Sequence, residues 1–143
     1  MATIIALRGI GNSGKSTTIR ILYTLMLEND FELVESNYDS HRGDFIAILK
    51  KNKKLIGITS VGNTYDYVHE RLQELISANC TICVCACRTF DRFGHGTNHA
   101  IGEFTNYRCE FIDKTSNTNP ATRLVSDTNY ANDLLNAINR LVR

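Results

Sequence analysis

Residues 9 to 16 read Gly9-Ile10-Gly11-Asn12-Ser13-Gly14-Lys15-Ser16, and that G-x-x-x-x-G-K-[ST] spacing is what a polyphosphate needs from a protein loop. A nucleoside triphosphate crowds several negative oxygens together. Only backbone N–H groups clear of side chains can surround them, which is the reason for glycine at Gly9, Gly11 and Gly14, with Asn12 and Ser13 completing the cradle. Lys15 is then expected to reach the β- and γ-phosphates, and the Ser16 hydroxyl to ligate the Mg²⁺ that travels with them, Thr17 lying beside it.

Such a loop has to join a buried strand to a helix. Thr3-Ile4-Ile5-Ala6-Leu7 is a short apolar, β-branched run, and Ser16 to Glu28 repeats apolar residues at Ile19, Leu22, Tyr23, Met26 and Leu27 with helical spacing. The helix N-terminus adds its partial positive charge to the anion site. Further on, the sequence predicts a strand over Phe31–Glu35 and an exposed polar loop from Ser36 to Gly43. A hairpin follows, pairing Phe45–Leu49 with Leu55–Thr59 across a lysine-rich tip at Lys50–Lys54. Asn63 is expected to cap an amphipathic helix running to Ala78. Thr81 to Cys87 is continuously apolar, the mark of a central strand covered on both faces. A loop over Arg88–Asn98, a short helix from about His99 to Asn106, an edge strand at Cys109–Ile112, a polar loop over Lys114–Ala121 and a closing helix from about Asp127 to Val142 complete the reading.

Strands alternating with helices predict a single α/β domain with three layers, a mostly parallel central sheet carrying one hairpin, and helices on both faces. In such a fold the ligand lies outside the carboxyl ends of the strands, so the loops after residues 8, 35, 59, 87 and 112 are expected to converge. A length of 143 residues, 43% apolar and 22% charged, suits one ordinary core. The formal net charge of +1 gives no electrostatic reason to expect nucleic acid as a partner. No apolar stretch is long enough to span a bilayer and no charged leader precedes the first strand, so a cytoplasmic protein is expected. Five cysteines, mostly within one apolar run, read as reduced core residues.

Gly9 to Ser16, in this strand and helix context, resemble the P-loop NTPase superfamily, which implies binding of ATP or GTP with Mg²⁺ but not a particular reaction. In Ras-like GTPases the second strand of a hairpin ends in D-x-x-G. The corresponding stretch here, Thr59-Ser60-Val61-Gly62, keeps the glycine and lacks the acid; Thr59, Ser60 and Gly62 are expected on the γ-phosphate side because they close a strand whose carboxyl end faces the ligand if the sheet is parallel there. The guanine-reading N-K-x-D is absent, since Ile112-Asp113-Lys114-Thr115 has the wrong order. Adenine is therefore favoured over guanine. The apolar strand ends Ala86-Cys87-Arg88 without a Walker B acid, leaving Asp39, Asp44 and Asp91 as substitutes, with Asp44 the expected metal ligand.

Nucleoside and nucleotide kinases are the rival resemblance. They often hold a base at the end of the second strand, where Glu35 is expected, and close an arginine-bearing lid, for which Arg88 to Arg92 is the candidate. Arg88 is thus an expected phosphate contact. These readings leave a slow Mg-dependent NTPase or nucleotide switch ahead of a small-molecule kinase or a silent sensor acting through a protein partner. Cys83, Cys85 and Cys87 with His95 and His99 suggest a metal site less well than they suggest core packing. His41-Arg42 is a further loop pair that could meet phosphate.

Overall fold

The computed structural model describes residues 2–11, 13–39, 44–62, 64–91 and 96–143, with only the backbone of residue 39. Asn12, His41, Arg42, Asn63 and His95 lie outside the described residues. The chain runs β1 (Thr3–Arg8), α1 (Lys15–Glu28), β2 (Glu32–Asp39), β3 (Asp44–Lys51), β4 (Lys54–Thr59), α2 (Tyr65–Ser77), β5 (Ile82–Cys87), α3 (Thr97–Gly102), β6 (Arg108–Asp113) and α4 (Pro120–Val142). This is an α/β fold on one six-stranded sheet of order β2-β3-β4-β5-β1-β6.

The sheet is mixed, which corrects the mostly parallel one expected. The pairings β4–β5, β5–β1 and β1–β6 are parallel, whereas β2–β3 and β3–β4 are antiparallel. It follows that β3 alone runs against the others. The second hairpin arises because β2 does not stop at Glu35. Ser36 to Asp39 continue it as an edge strand, exposed from Ser36 to Tyr38, where one face needs no apolar residues.

Strand alternation sorts the core into two. Ile5, Leu7, Ile58, Val84 and Ala86 face α1 and α4 through Ile19, Leu22, Leu134 and Ile138. Ile4, Ala6, Cys83, Cys85 and Cys87 face α2 and α3 through Val68, Leu72, Leu75 and Ile101. The three alternate cysteines thus share one face of β5 and pack as small hydrophobes. Burial pushes the Cys80 thiol up to about 11 and the Cys87 thiol up to about 12, so both stay protonated near neutrality.

Three boundaries differ for local reasons. Thr64, next to the expected Asn63, is the described cap of α2, its side chain accepting from Tyr67 N. Helix α4 begins seven residues before the expected Asp127. Asn119 accepts from Ala121 N as N-cap and Pro120 occupies the first turn, where its missing N–H costs nothing. The hairpin tip turns through Asn52 and Lys53, both at positive φ. It does more than keep an edge soluble: Lys54 Nζ and Asn52 Nδ2 donate to Leu141 O at 2.6 Å and Val142 O at 2.8 Å, closing the C-terminus of α4.

Candidate phosphate-binding site

Gly9 follows β1 directly and donates to Cys87 O of β5 at 3.0 Å, so the loop leaves the sheet from between two buried parallel strands. It ends at Gly14, the N-cap of α1, in the left-handed region with φ of 88°. A side chain there would be strained and would meet the Asp127 carboxylate at 2.8 Å. Lys15 opens the helix, and Thr18 secures the first turn by donating to Gly14 O from both its N–H and its hydroxyl.

Lys15 is only 7% exposed. Its ammonium donates to Gly9 O at 2.7 Å and Ile10 O at 2.9 Å, folding back over the loop's own carbonyls. Burial, and next the positive charge of Arg88, pull its pKa down to about 8. A cation held this way gains from any anion placed beside it.

Beside the loop opens a cleft of about 610 Å³. Ser13, Gly14, Lys15, Ser16 and Thr17 form one wall. Ser60, Gly62 and Ala86 form a second, and Pro120, Arg123, Leu124 and Asp127 of α4 a third. The loops after β1, β4 and β5 and the start of α4 after β6 therefore meet at one pole. Ser16 Oγ lies 3.4 Å from Ser60 O, joining the expected metal-binding hydroxyl to the segment after β4. Gly62 is required by close approach, since a Cβ would stand 2.5 Å from Ala86 Cβ.

Other expected residues lie elsewhere. Thr59 is buried, and its hydroxyl accepts from Val61 N instead of lining the cleft. Glu35 sits in the middle of β2, four strand spacings or about 19 Å across the sheet from β1. It is not brought to the loop, because the strand it was to end continues past it. Asp44 is buried against Arg71, which donates to its two oxygens at 3.0 and 3.3 Å, so a metal would have to break that pair. The Asp91 carboxylate accepts from the backbone of Gly96, Asn98 and His99 and from the Asn98 amide. Burial alone would raise its pKa, but these bonds outweigh it and hold the acid below its ordinary value. Among the described residues, no group of three His, Cys, Asp or Glu side chains could hold a metal ion.

Arg88 is brought to the loop. Its guanidinium lies over Gly11, where a Cβ would collide with Nη1, and its backbone N–H donates to Thr97 Oγ1 at 2.8 Å. On that side a second cleft, of about 450 Å³, is bounded by Ile10 and Gly11, by Thr64 and Tyr65, and by the chain from Arg88 to Asp91.

Two site residues had no counterpart in the sequence reading. Lys114, just past β6, is buried and donates to Ser13 O, and its ammonium stands 2.8 Å from Asp127 Oδ1. Asn119-Pro120 was the signal that could have found Asp127, because a helix starting there sets Arg123 and Asp127 about one turn apart, both along the cleft. Nothing in the order Ile112-Asp113-Lys114 points the lysine at the loop.

No protein family, curated protein or solved structure matches the chain. Among the described residues no helix is long and apolar enough to cross a membrane.

Proposed function

We propose that the chain binds a magnesium nucleoside triphosphate through residues 9–16, ATP in preference to GTP, and hydrolyses it slowly or uses it as a switch in the cytoplasm. The observation that carries the reading is the state of Lys15, a buried ammonium whose hydrogen-bond acceptors among the described residues are loop carbonyls, at the first turn of a helix whose cap is a left-handed glycine. A helix N-terminus, glycine backbone and a cation converge on one cleft, which is the chemistry of an anion site. The layered P-loop architecture belongs to the same proposal, supported by a buried β1 between parallel neighbours and by cores on both sheet faces. Ser16 is the residue that would hold Mg²⁺, with phosphate oxygens and water completing a shell that this ion rarely takes from protein alone. There the ion would neutralise phosphate charge. The preference for adenine rests on the missing N-K-x-D sequence.

Titration calorimetry with MgATP and MgGTP tests this. The parent should bind, and Lys15→Ala should lose most of its affinity while its circular dichroism and thermal midpoint stay near the parent's. Unchanged binding in that variant would remove the assignment.

A second reading, phosphoryl transfer to a small-molecule acceptor, is favoured by the cleft on the Gly11 side, which adjoins the same loop and carries Arg88 and the exposed ring of Phe90. Release of ADP only when an acceptor is added would support it. Turnover with water alone supports the hydrolase.

A further inference from the structure

Resting on the nucleotide reading above, we propose that Lys114 and Asp127 form a buried ionic brace that holds the phosphate loop in its binding shape, so that nucleotide affinity depends on two positioning residues outside the G-x-x-x-x-G-K-S motif.

The pair touches the loop at three places. Lys114 N donates to Arg8 O at 2.7 Å, stitching the end of β6 to the end of β1, and its own carbonyl lies 3.0 Å from where a Gly9 Cβ would be. The Lys114 side chain, fully enclosed, carries its ammonium to Ser13 O. Asp127, 1% exposed on α4, rests its two oxygens against Gly14, 2.8 and 2.9 Å from where a Cβ would stand. Gly9, Ser13 and Gly14 are thereby fixed relative to β6 and α4 as well as to β1 and α1.

Stability alone is a poor reason for such a pair. Taking two ions out of water is costly, and apolar residues of similar volume usually replace a buried ion pair without loss. The pair is also incompletely satisfied. Ser13 Oγ and Asp127 Oδ2 lack hydrogen-bond partners among the described residues, while Oδ1 is met by the Lys114 ammonium at 2.8 Å. Buried polar groups without partners ask for an explanation, and both of these lie against the phosphate loop. The geometry supplies one: a lysine holds one loop carbonyl while a carboxylate occupies the space over the left-handed glycine, and the loop backbone is left with one conformation.

The test compares the parent with Asp127→Asn, Lys114→Met and the double variant Lys114→Met/Asp127→Leu. Calorimetry with MgATP and MgGTP is read beside thermal unfolding without nucleotide. A loop displaced by about 1 Å can lose on the order of a hundredfold in function, so each folded variant should bind at least about tenfold more weakly. The single variants should also melt early, each leaving an ion or dipole without its partner. The double variant should recover the lost melting temperature, because no ion remains alone, yet keep the weak affinity. That separation is what a purely structural pair would not produce. Parent-like affinity in the double variant, or in whichever single variant folds, overturns the brace. A parent that binds neither nucleotide overturns the nucleotide reading itself.

Discussion

Raising the pH from 7 to 10 should remove nucleotide affinity in a pattern set by Lys15. Burial, with the charge of Arg88 next and that of Lys114 adding to it, lowers this ammonium from 10.5 to about 8, against a smaller opposing effect of Cys87. A bound polyphosphate places negative oxygens beside the ammonium and should restore at least its ordinary pKa. Below pH 7 both states carry the proton and affinity is flat. Between pH 8 and 10.5 only the complex carries it, so affinity should fall about tenfold per pH unit, roughly 300-fold in all or about 3 kcal/mol. Proton uptake on binding should be near one half at pH 8 and about nine tenths at pH 9. Calorimetry in two buffers of different ionisation enthalpy reads both quantities, with Lys15→Met as the control that should lose the slope. The ligand-free fold carries the matching sign. Its charged lysine is disfavoured relative to the unfolded chain below pH 8, and that cost is relieved as pH rises toward 10.5. Proton uptake at pH 9 indistinguishable from zero, or the same slope in Lys15→Met, would refute the argument.

Arg88→Ala should slow turnover more than it weakens binding, because the guanidinium lies over Gly11 and lines the cleft on that side instead of the one walled by Ser13–Thr17; equal kinetics in parent and variant would take Arg88 out of the site. Glu35→Gln should leave binding and turnover unchanged, since β2 is the far edge of the sheet, and a hundredfold loss of phosphoryl transfer would restore it as a base. Asp44→Asn should lower stability by about 1.5–3 kcal/mol in denaturant titrations, because it removes the charged partner of two Arg71 hydrogen bonds while the Arg71–Glu74 pair remains. A variant with parent stability but weakened magnesium dependence would show Asp44 to be a ligand after all.

Sequence placed the glycine-rich segment 9–16 between a strand and a helix because its spacing is written in contiguous residues, and it reached β1, β5, α1 and α2 because apolar periodicity reports burial. It failed where neighbours decide. Ser36 to Asp39 form a strand only because β3 offers a partner for an otherwise exposed edge, and no apolar alternation announces that. Asp44 reads as a loop acid until the fold sets Arg71 opposite it. Asp91 likewise reads as a free carboxylate, but the start of α3 surrounds it with donors. Lys114 and Asp127 are thirteen positions apart in the chain and meet only through the docking of α4 on α1. Ser60 was legible from the direction of its strand: the carboxyl end of β4 had to face the same pole as that of β1, and Ser16 Oγ stands 3.4 Å from Ser60 O.

The charges around the loop carry the last step of the argument. Three cations, Lys15, Arg88 and Lys114, lie against residues 9–16, and Asp127, the carboxylate against Gly14, is paired with Lys114. The N-terminus of α1 adds its own partial positive charge. Lys15 bears part of the imbalance, its pKa pulled down to about 8 by burial and next by the charge of Arg88, and an arriving polyphosphate would relieve it. The same inventory bears on rate. Asp44 is held by Arg71 and Asp91 by three donors of α3 and one from its cap Gly96, so neither of these two acids is poised to take a proton from water or from an acceptor beside the loop. A positioned base is worth about a hundredfold or more. With these two acids engaged, the proposed site should bind a nucleotide more readily than it turns it over, and single-turnover hydrolysis of bound MgATP measured beside its affinity checks this; fast turnover by the parent would refute it.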